Sequence, residues 1–145
     1  MTEYLLDTNV VSEARRERPD ARVLAWLQHH SGSNWLSVVT IAEICKGIAS
    51  VRRSKGERQK APKLQAWFDM IRQLYADRII PLDETMAALA GELMGTHGMT
   101  VEDAMICATA KTRALTLVTR NSRDFGAARV DLINPWSEPP APTPP

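Results

Sequence analysis

Short apolar runs that stop abruptly on polar clusters mark out five candidate strands along this chain. Tyr4-Leu5-Leu6 ends at Asp7-Thr8-Asn9, and Leu115 to Val118 ends at Thr119-Arg120-Asn121. Asn34 to Ser37, Ile79-Ile80-Pro81 and Val130 to Ile133 are the others. Runs this brief, bounded by turn and cap residues, fit buried strands. Between them apolar residues recur at helical spacing. A short helix is expected at Val10 to Ala14 and an amphipathic one at Ala21 to His30, behind Pro19-Asp20. A third is expected at Val39 to Ser50, where Ile41, Ala42, Ile44, Cys45, Ile48 and Ala49 keep the period. The spacing resumes at Leu64 to Tyr75. Asp83 caps a helix to about Met94, and Gly95 to Gly98 reads as a loop. Thr100 caps a helix over Val101 to Thr112, with Asp103 at its third position, close to a capping box. Strands alternate with helices throughout, which predicts an α/β fold with a parallel sheet covered by helices on both faces.

The length of 145 residues suits one domain. The expected division is a folded unit over residues 1–136 and an extended, disordered proline-rich tail over 137–145, SEPPAPTPP. Composition is that of an ordinary globular protein, and a formal net charge of +1 gives no global attraction for a polyanion. Any case for nucleic acid therefore rests on local charge. Residues 52–63, RRSKGERQKAPK, hold six basic residues and one acid, and read as a solvated linker between helices that aids solubility. Cys45 and Cys107 lie among apolar residues in expected helices and fit no zinc spacing, so both are expected to be buried free thiols. No apolar run is long enough for a membrane span, and the N-terminus lacks the pattern of a signal peptide. The expected location is the cytoplasm.

In open parallel sheets, ligands bind beyond the carboxyl ends of the strands. The two polar strand ends, Asp7-Thr8-Asn9 and Thr119-Arg120-Asn121, are the natural floor of such a site, or else ordinary loop and cap residues. Asp103 shares a helix stripe with Met99, Ile106, Cys107 and Ala110, so its carboxylate faces inward and needs a partner. A metal or a cation would serve, and so would the Thr100 end of its own helix. Glu43 shares a face with Thr40, Lys46 and Ser50, which is either a solvated face or one that looks into the cleft. Three carboxylates with oxygen-only company suit a hard cation such as Mg²⁺ or Mn²⁺. They would have to converge tightly for one ion to neutralise them. His29 and His30 at a helix end, and His97 in a loop, read as surface or capping residues.

These residues resemble a known family. LLDTNVVSE, TIAEICKGI, VEDAMICATAK and LVTRNSRDF followed by INPW are similar to the motifs of a PIN-domain ribonuclease toxin of the VapC/FitB type, and the likeness runs from about Tyr4 to Trp136. Four ordered motifs are far more specific than any one. The resemblance implies a three-layer α/β/α sandwich with a five-stranded parallel sheet. It implies a Mg²⁺- or Mn²⁺-dependent endoribonuclease that hydrolyses phosphodiesters of tRNA or other structured RNA, as the toxin of a type II toxin–antitoxin pair. Asp7, Glu43 and Asp103 match the family's metal-binding acids, Thr8 and Asn9 the residues beside the first, and Thr119 the hydroxyl near the metal. Where some members carry a fourth acid this chain has Asn121, and Asp124 lies three residues on. Asn121 belongs in or near the site on this reading, while Asp124 either joins it or caps a short helix. Arg15, Arg16, Lys46, Arg120 and Arg123 are the candidates for contacting the RNA backbone, each also readable as a plain surface charge. The resemblance further implies a homodimer, a cognate small antitoxin that carries the DNA-binding domain, and operator binding only through that antitoxin. The alternatives are a catalytically weak RNA-binding module on the same fold, or a small doubly wound phosphatase. Asp7-Thr8-Asn9, which lacks two acids spaced by one residue, speaks against the phosphatase.

Overall fold

The structure, a computed structural model, describes residues 1–137; the rest of the expected tail, residues 138–145, lies outside the described residues. Five parallel strands form one sheet in the order β3-β2-β1-β4-β5. They are β1 (Tyr4–Leu6), β2 (Asn34–Ser37), β3 (Ile79–Ile80), β4 (Thr116–Val118) and β5 (Leu132–Ile133). Chain order runs outward from β1 to one edge, then returns to the other side of β1 at β4. The strand order therefore reverses between the two strands with polar C-terminal ends, the place where open α/β sheets keep their ligands.

The helices are α1 (Thr8–Glu13), α2 (Ala21–His29), α3 (Val38–Arg53), α4 (Ala61–Leu74), α5 (Glu84–His97), α6 (Val101–Thr112) and α7 (Ser122–Gly126). Neighbouring strand residues point to opposite faces, so each strand feeds two cores. Leu5 and Leu117 pack with Met86, Ala90, Ile106 and Phe125 of α5, α6 and α7. Leu6, Leu36 and Val118 pack with Val10, Val23, Ile44, Ile48, Phe68 and Ile71 of α1 to α4. These are the two outer layers of an α/β/α sandwich.

Several boundaries differ from the sequence-based expectation. The segment 52–63 is not an open linker. Helix α3 runs on to Arg53, where basic residues meet the negative end of the helix dipole, and a 3-10 turn at Arg58–Lys60 leads into α4. Helix α5 continues through Gly95 to His97 and stops only at Gly98, whose φ of 66° is the left-handed cap that glycine takes without strain. His97 is thus in the last helical turn and not in a loop. Cys107 is buried as expected, but Cys45 is exposed. The apolar period of α3 is wider than the stripe the core accepts: Ile44 and Ile48 are buried, whereas Ala42, Cys45 and Ala49 face outward. Trp26 and Trp35 are half-buried against the two cores, and the exposed large apolar side chains are Met1, Leu24, Met70, Leu74 and Val101.

Candidate metal centre

Asp7 leaves the end of β1 and caps α1, its Oδ1 accepting from the Thr8 backbone N–H at 2.8 Å. Only 5% of the residue is exposed. Its other oxygen accepts from the Thr119 hydroxyl at 2.7 Å, a bond across the gap between β1 and β4. Thr119 is fixed in turn, because its oxygen accepts the backbone N–H of Asn121 at 3.0 Å. Each polar strand end thus orients the other.

Glu43 projects from α3 toward the same place. The Thr8 hydroxyl lies 3.0 Å from Glu43 Oε1 and 3.0 Å from the buried Thr40 hydroxyl. Thr8 has one proton, so it donates to the carboxylate and accepts from Thr40. The solvated-face reading of Glu43 is therefore set aside; it is half-buried and faces the cleft. Asp103 is half-buried at the start of α6, where Thr100 Oγ1 accepts its backbone N–H at 3.2 Å. The helix-end reading of Asp103 holds, and the same residue lines a cleft with Glu43.

Burial and mutual repulsion act on all three acids. Burial pushes the Asp7 carboxyl above the ordinary carboxylate range, against the pull of its Thr119, Thr8 and Asn9 hydrogen bonds, and the charge of Asp124 adds to the rise. Glu43 is raised by desolvation, then by Asp7, Glu102 and Asp103. Asp103 is raised by desolvation, then by Asp7, Asp124 and Glu102. No basic side chain forms an ion pair with Asp7, Glu43, Asp103 or Asp124 among the described residues. Glu102 is a member of this neighbourhood that the sequence reading missed, and its place beside Asp103 was the available signal; Thr40, noted from sequence only as sharing the face of Glu43, reaches the site through the Thr8 hydroxyl. The remaining supporting residues are also placed. Asn9 lies beside Asp7 and lowers its pKa, while its own Oδ1 is buried without a partner. The exposed Asn121 precedes α7 without capping it through its side chain. Asp124 does not cap that helix either; it sits in its first turn, within electrostatic reach of Asp7 and Asp103.

The expectation of tight convergence needs correction. Among the described residues no three acidic, histidine or cysteine side chains are gathered closely enough to grip one ion together. Each acid is drawn to its own hydroxyl or amide neighbour, and like charges keep apart. The residues nevertheless fit a hard divalent ion. The donors are all oxygens, they carry unneutralised charge, and Mg²⁺ retains several waters that bridge to ligands set slightly apart. The partnerless Asn9 Oδ1 adds one more oxygen beside Asp7.

Of the basic candidates, Lys46 lines an open cleft of about 540 Å³ together with Glu43, Ser50, Thr100, Glu102 and Asp103. Arg15 lines a second groove of about 270 Å³ that also contains Thr8 and Glu43. Arg120 lies over the Trp136 ring at 5.2 Å, and Arg123 is an exposed residue of α7. Arg16 is not brought to the site; it pairs with the buried Glu13 at 3.2 Å.

Glu43→Gln should stabilise the metal-free protein. It keeps the acceptor for Thr8 and removes a charge repelled by Asp7, Glu102 and Asp103. A carboxyl whose native pKa is raised costs stability at neutral pH, and that cost disappears once both states are protonated below about pH 4. With a half-exposed group the gain is about 0.5 kcal/mol, a rise of roughly 1–2 °C in Tm. Thermal melts in chelator at neutral and acidic pH check this; an unchanged or lower Tm at neutral pH would contradict the repulsion.

The PIN domain family matches residues 4–131 of this chain. Among curated proteins the chain is similar to Toxin FitB of Neisseria gonorrhoeae, 39% identical over 140 residues that cover 92% of this chain and 99% of that protein. It is also similar to VapC ribonuclease Y4jK of Sinorhizobium fredii, 33% identical over 91% of this chain and 96% of that one. Among solved structures it resembles FitAcB from Neisseria gonorrhoeae with a TM-score of 0.78 and 37% identity, covering 93% of this chain and 99% of that chain. It likewise resembles VapBC2 from Rickettsia felis bound to a promoter DNA fragment, with a TM-score of 0.74 and 25% identity over 92% and 98% of the two chains.

Proposed function

The chain belongs to the PIN domain family, in its VapC/FitB group, and from that premise we propose that it is a Mg²⁺- or Mn²⁺-dependent endoribonuclease serving as the toxin of a type II toxin–antitoxin pair. The observation that carries the reading is that Asp7, Glu43 and Asp103 lie around the reversal point of a parallel sheet, near enough to raise one another's pKa, with no ion-paired basic side chain among the described residues. A pure phosphate binder gains nothing from buried negative charge, whereas a site for a divalent ion requires it.

Asp7, Glu43 and Asp103 would hold the ion, with Asn9, Asn121 and Asp124 around it. When bound, a divalent ion supplies Lewis acidity, lowering the pKa of water and stabilising charge on phosphate oxygens. The protein's own part is orientation. Thr119 and the Thr8 amide fix the two Asp7 oxygens, Thr8 and Thr40 fix Glu43, and Thr100 anchors the start of the helix carrying Asp103. Arg15 and Lys46 flank the acids and would position the RNA backbone without reading bases.

The partners follow from the relatives. FitAcB and VapBC2 are similar to this chain along nearly its whole length, which supports a small DNA-binding antitoxin, with operator DNA reached only through it. A homodimer, a folded unit over residues 1–136 and action in the cytoplasm complete the reading. Among the described residues no helix is long and apolar enough to cross a membrane. The test is incubation of the purified protein with total tRNA and with single-stranded RNA in Mg²⁺. Discrete cleavage products are expected. RNA binding without cleavage would favour the catalytically silent module instead.

A further inference from the structure

A track leads from the acids to the basic turn between α3 and α4. Glu43, Gly47 and Val51 lie at four-residue steps on one stripe of α3 and line the groove of about 270 Å³. Eight residues of helix advance about 12 Å, so this stripe leads from the carboxylate to the end of α3. Leu64 and Trp67 of α4 form the opposite wall. The Arg15 guanidinium lies 5.7 Å from the Trp67 ring centroid, so an aromatic surface and a cation face the groove together. Beyond Val51 every residue from Arg52 to Lys60 is exposed.

Six basic residues stand in this turn beside one acid, Glu57. Lys60 pairs with Glu57 at 3.4 Å, and Arg52 bonds the Gln65 side chain at 2.7 Å. Arg53, Lys55, Arg58 and Lys63 reach no acidic partner among the described residues. A chain of net charge +1 therefore concentrates unpaired positive charge at the far end of a groove whose near end is the acid cluster.

We infer that the turn from Arg52 to Lys63 is a phosphate-binding surface for the RNA substrate, which runs from the acids along the α3–α4 groove. The inference rests on the nuclease reading only for the direction of the strand. Acids at one end repel a polyanion unless a divalent ion is present, so affinity has to come from elsewhere on the path. The turn supplies it through counterion release, and Arg15, held over the Trp67 ring, places one more cation in the groove.

The test is equilibrium binding of tRNA and of a single-stranded RNA, in chelator so that no cleavage occurs, across a salt series. The quadruple variant Arg53→Gln, Lys55→Gln, Arg58→Gln, Lys63→Gln is compared with a charge-retaining variant, Arg53→Lys, Lys55→Arg, Arg58→Lys, Lys63→Arg. The neutral variant should bind at least about tenfold more weakly at 0.15 M salt, with a log–log salt slope shallower by about 3. The charge-retaining variant should bind like wild type. Thermal melts of both variants verify folding. Equal affinity and slope in the neutral variant overturn the inference, and so does a loss of binding in the charge-retaining variant as large as that in the neutral one. RNA binding through the turn with no cleavage in Mg²⁺ leaves the inference standing and removes the nuclease reading. Cleavage with a neutral variant that binds normally does the reverse.

Discussion

Asp7→Asn should lower RNA cleavage by about a thousandfold or more while leaving the fold intact. Asp7 is the most buried of the three site acids and the one that both polar strand ends address. The charge stabilisation a divalent ion gives a phosphoryl transition state is several kcal/mol, and each 1.36 kcal/mol is a factor of ten. Asparagine keeps an oxygen for the Thr8 N–H, and its amide can donate to the Thr119 oxygen once that hydroxyl turns away. The substitution also removes a carboxylate that desolvation disfavours. Tm should therefore stay within about 3 °C of wild type. Single-turnover cleavage and a thermal melt on the same preparation decide the matter; wild-type cleavage by a folded variant would remove Asp7 from the chemistry.

Chelation is expected to abolish cleavage, with Mg²⁺ or Mn²⁺ restoring it, and the ion should also raise Tm. The sign follows from the acids. The carboxyls of Asp7, Glu43 and Asp103 are all raised, so the metal-free protein holds protons more tightly folded than unfolded. Its stability then falls as pH climbs out of the ordinary carboxylate range, and that penalty is complete at neutral pH. A divalent ion offsets this repulsion where the acids are ionised and loses its hold where they are protonated. The metal-induced rise in Tm should accordingly be largest at neutral pH and fade on acidification, and cleavage should fall on the acid limb as protons compete with the ion for the carboxylates. Cleavage that persists in chelator, or a Tm shift independent of pH, would point to a site that binds no ion.

Much of this architecture was legible from residue patterns. Asn34 to Ser37 matches the structure residue for residue, and the helix expected from Val101 to about Thr112 starts and ends where expected, because each is bounded by sharp polar signals. The site's floor was legible for the same reason: an apolar run that ends on Asp7-Thr8-Asn9 must turn out of the sheet there. Tertiary context decided what the pattern could not. Cys45 is as apolar as Ile44, but only one side of α3 meets the core. Glu43 could be assigned to the cleft only once Thr8 was seen to donate to it. The looser spacing of the acids was equally out of reach, since it depends on which hydroxyl each carboxylate finds.

The hydrogen bond between Thr119 and Asp7 spans 112 positions of sequence. A nascent polypeptide of which only the residues before Asp103 have left the ribosome has Asp7 and Glu43 but neither Asp103 nor Thr119 to complete the centre. A centre assembled from both halves of the chain would in this way stay incomplete until the later of them has emerged.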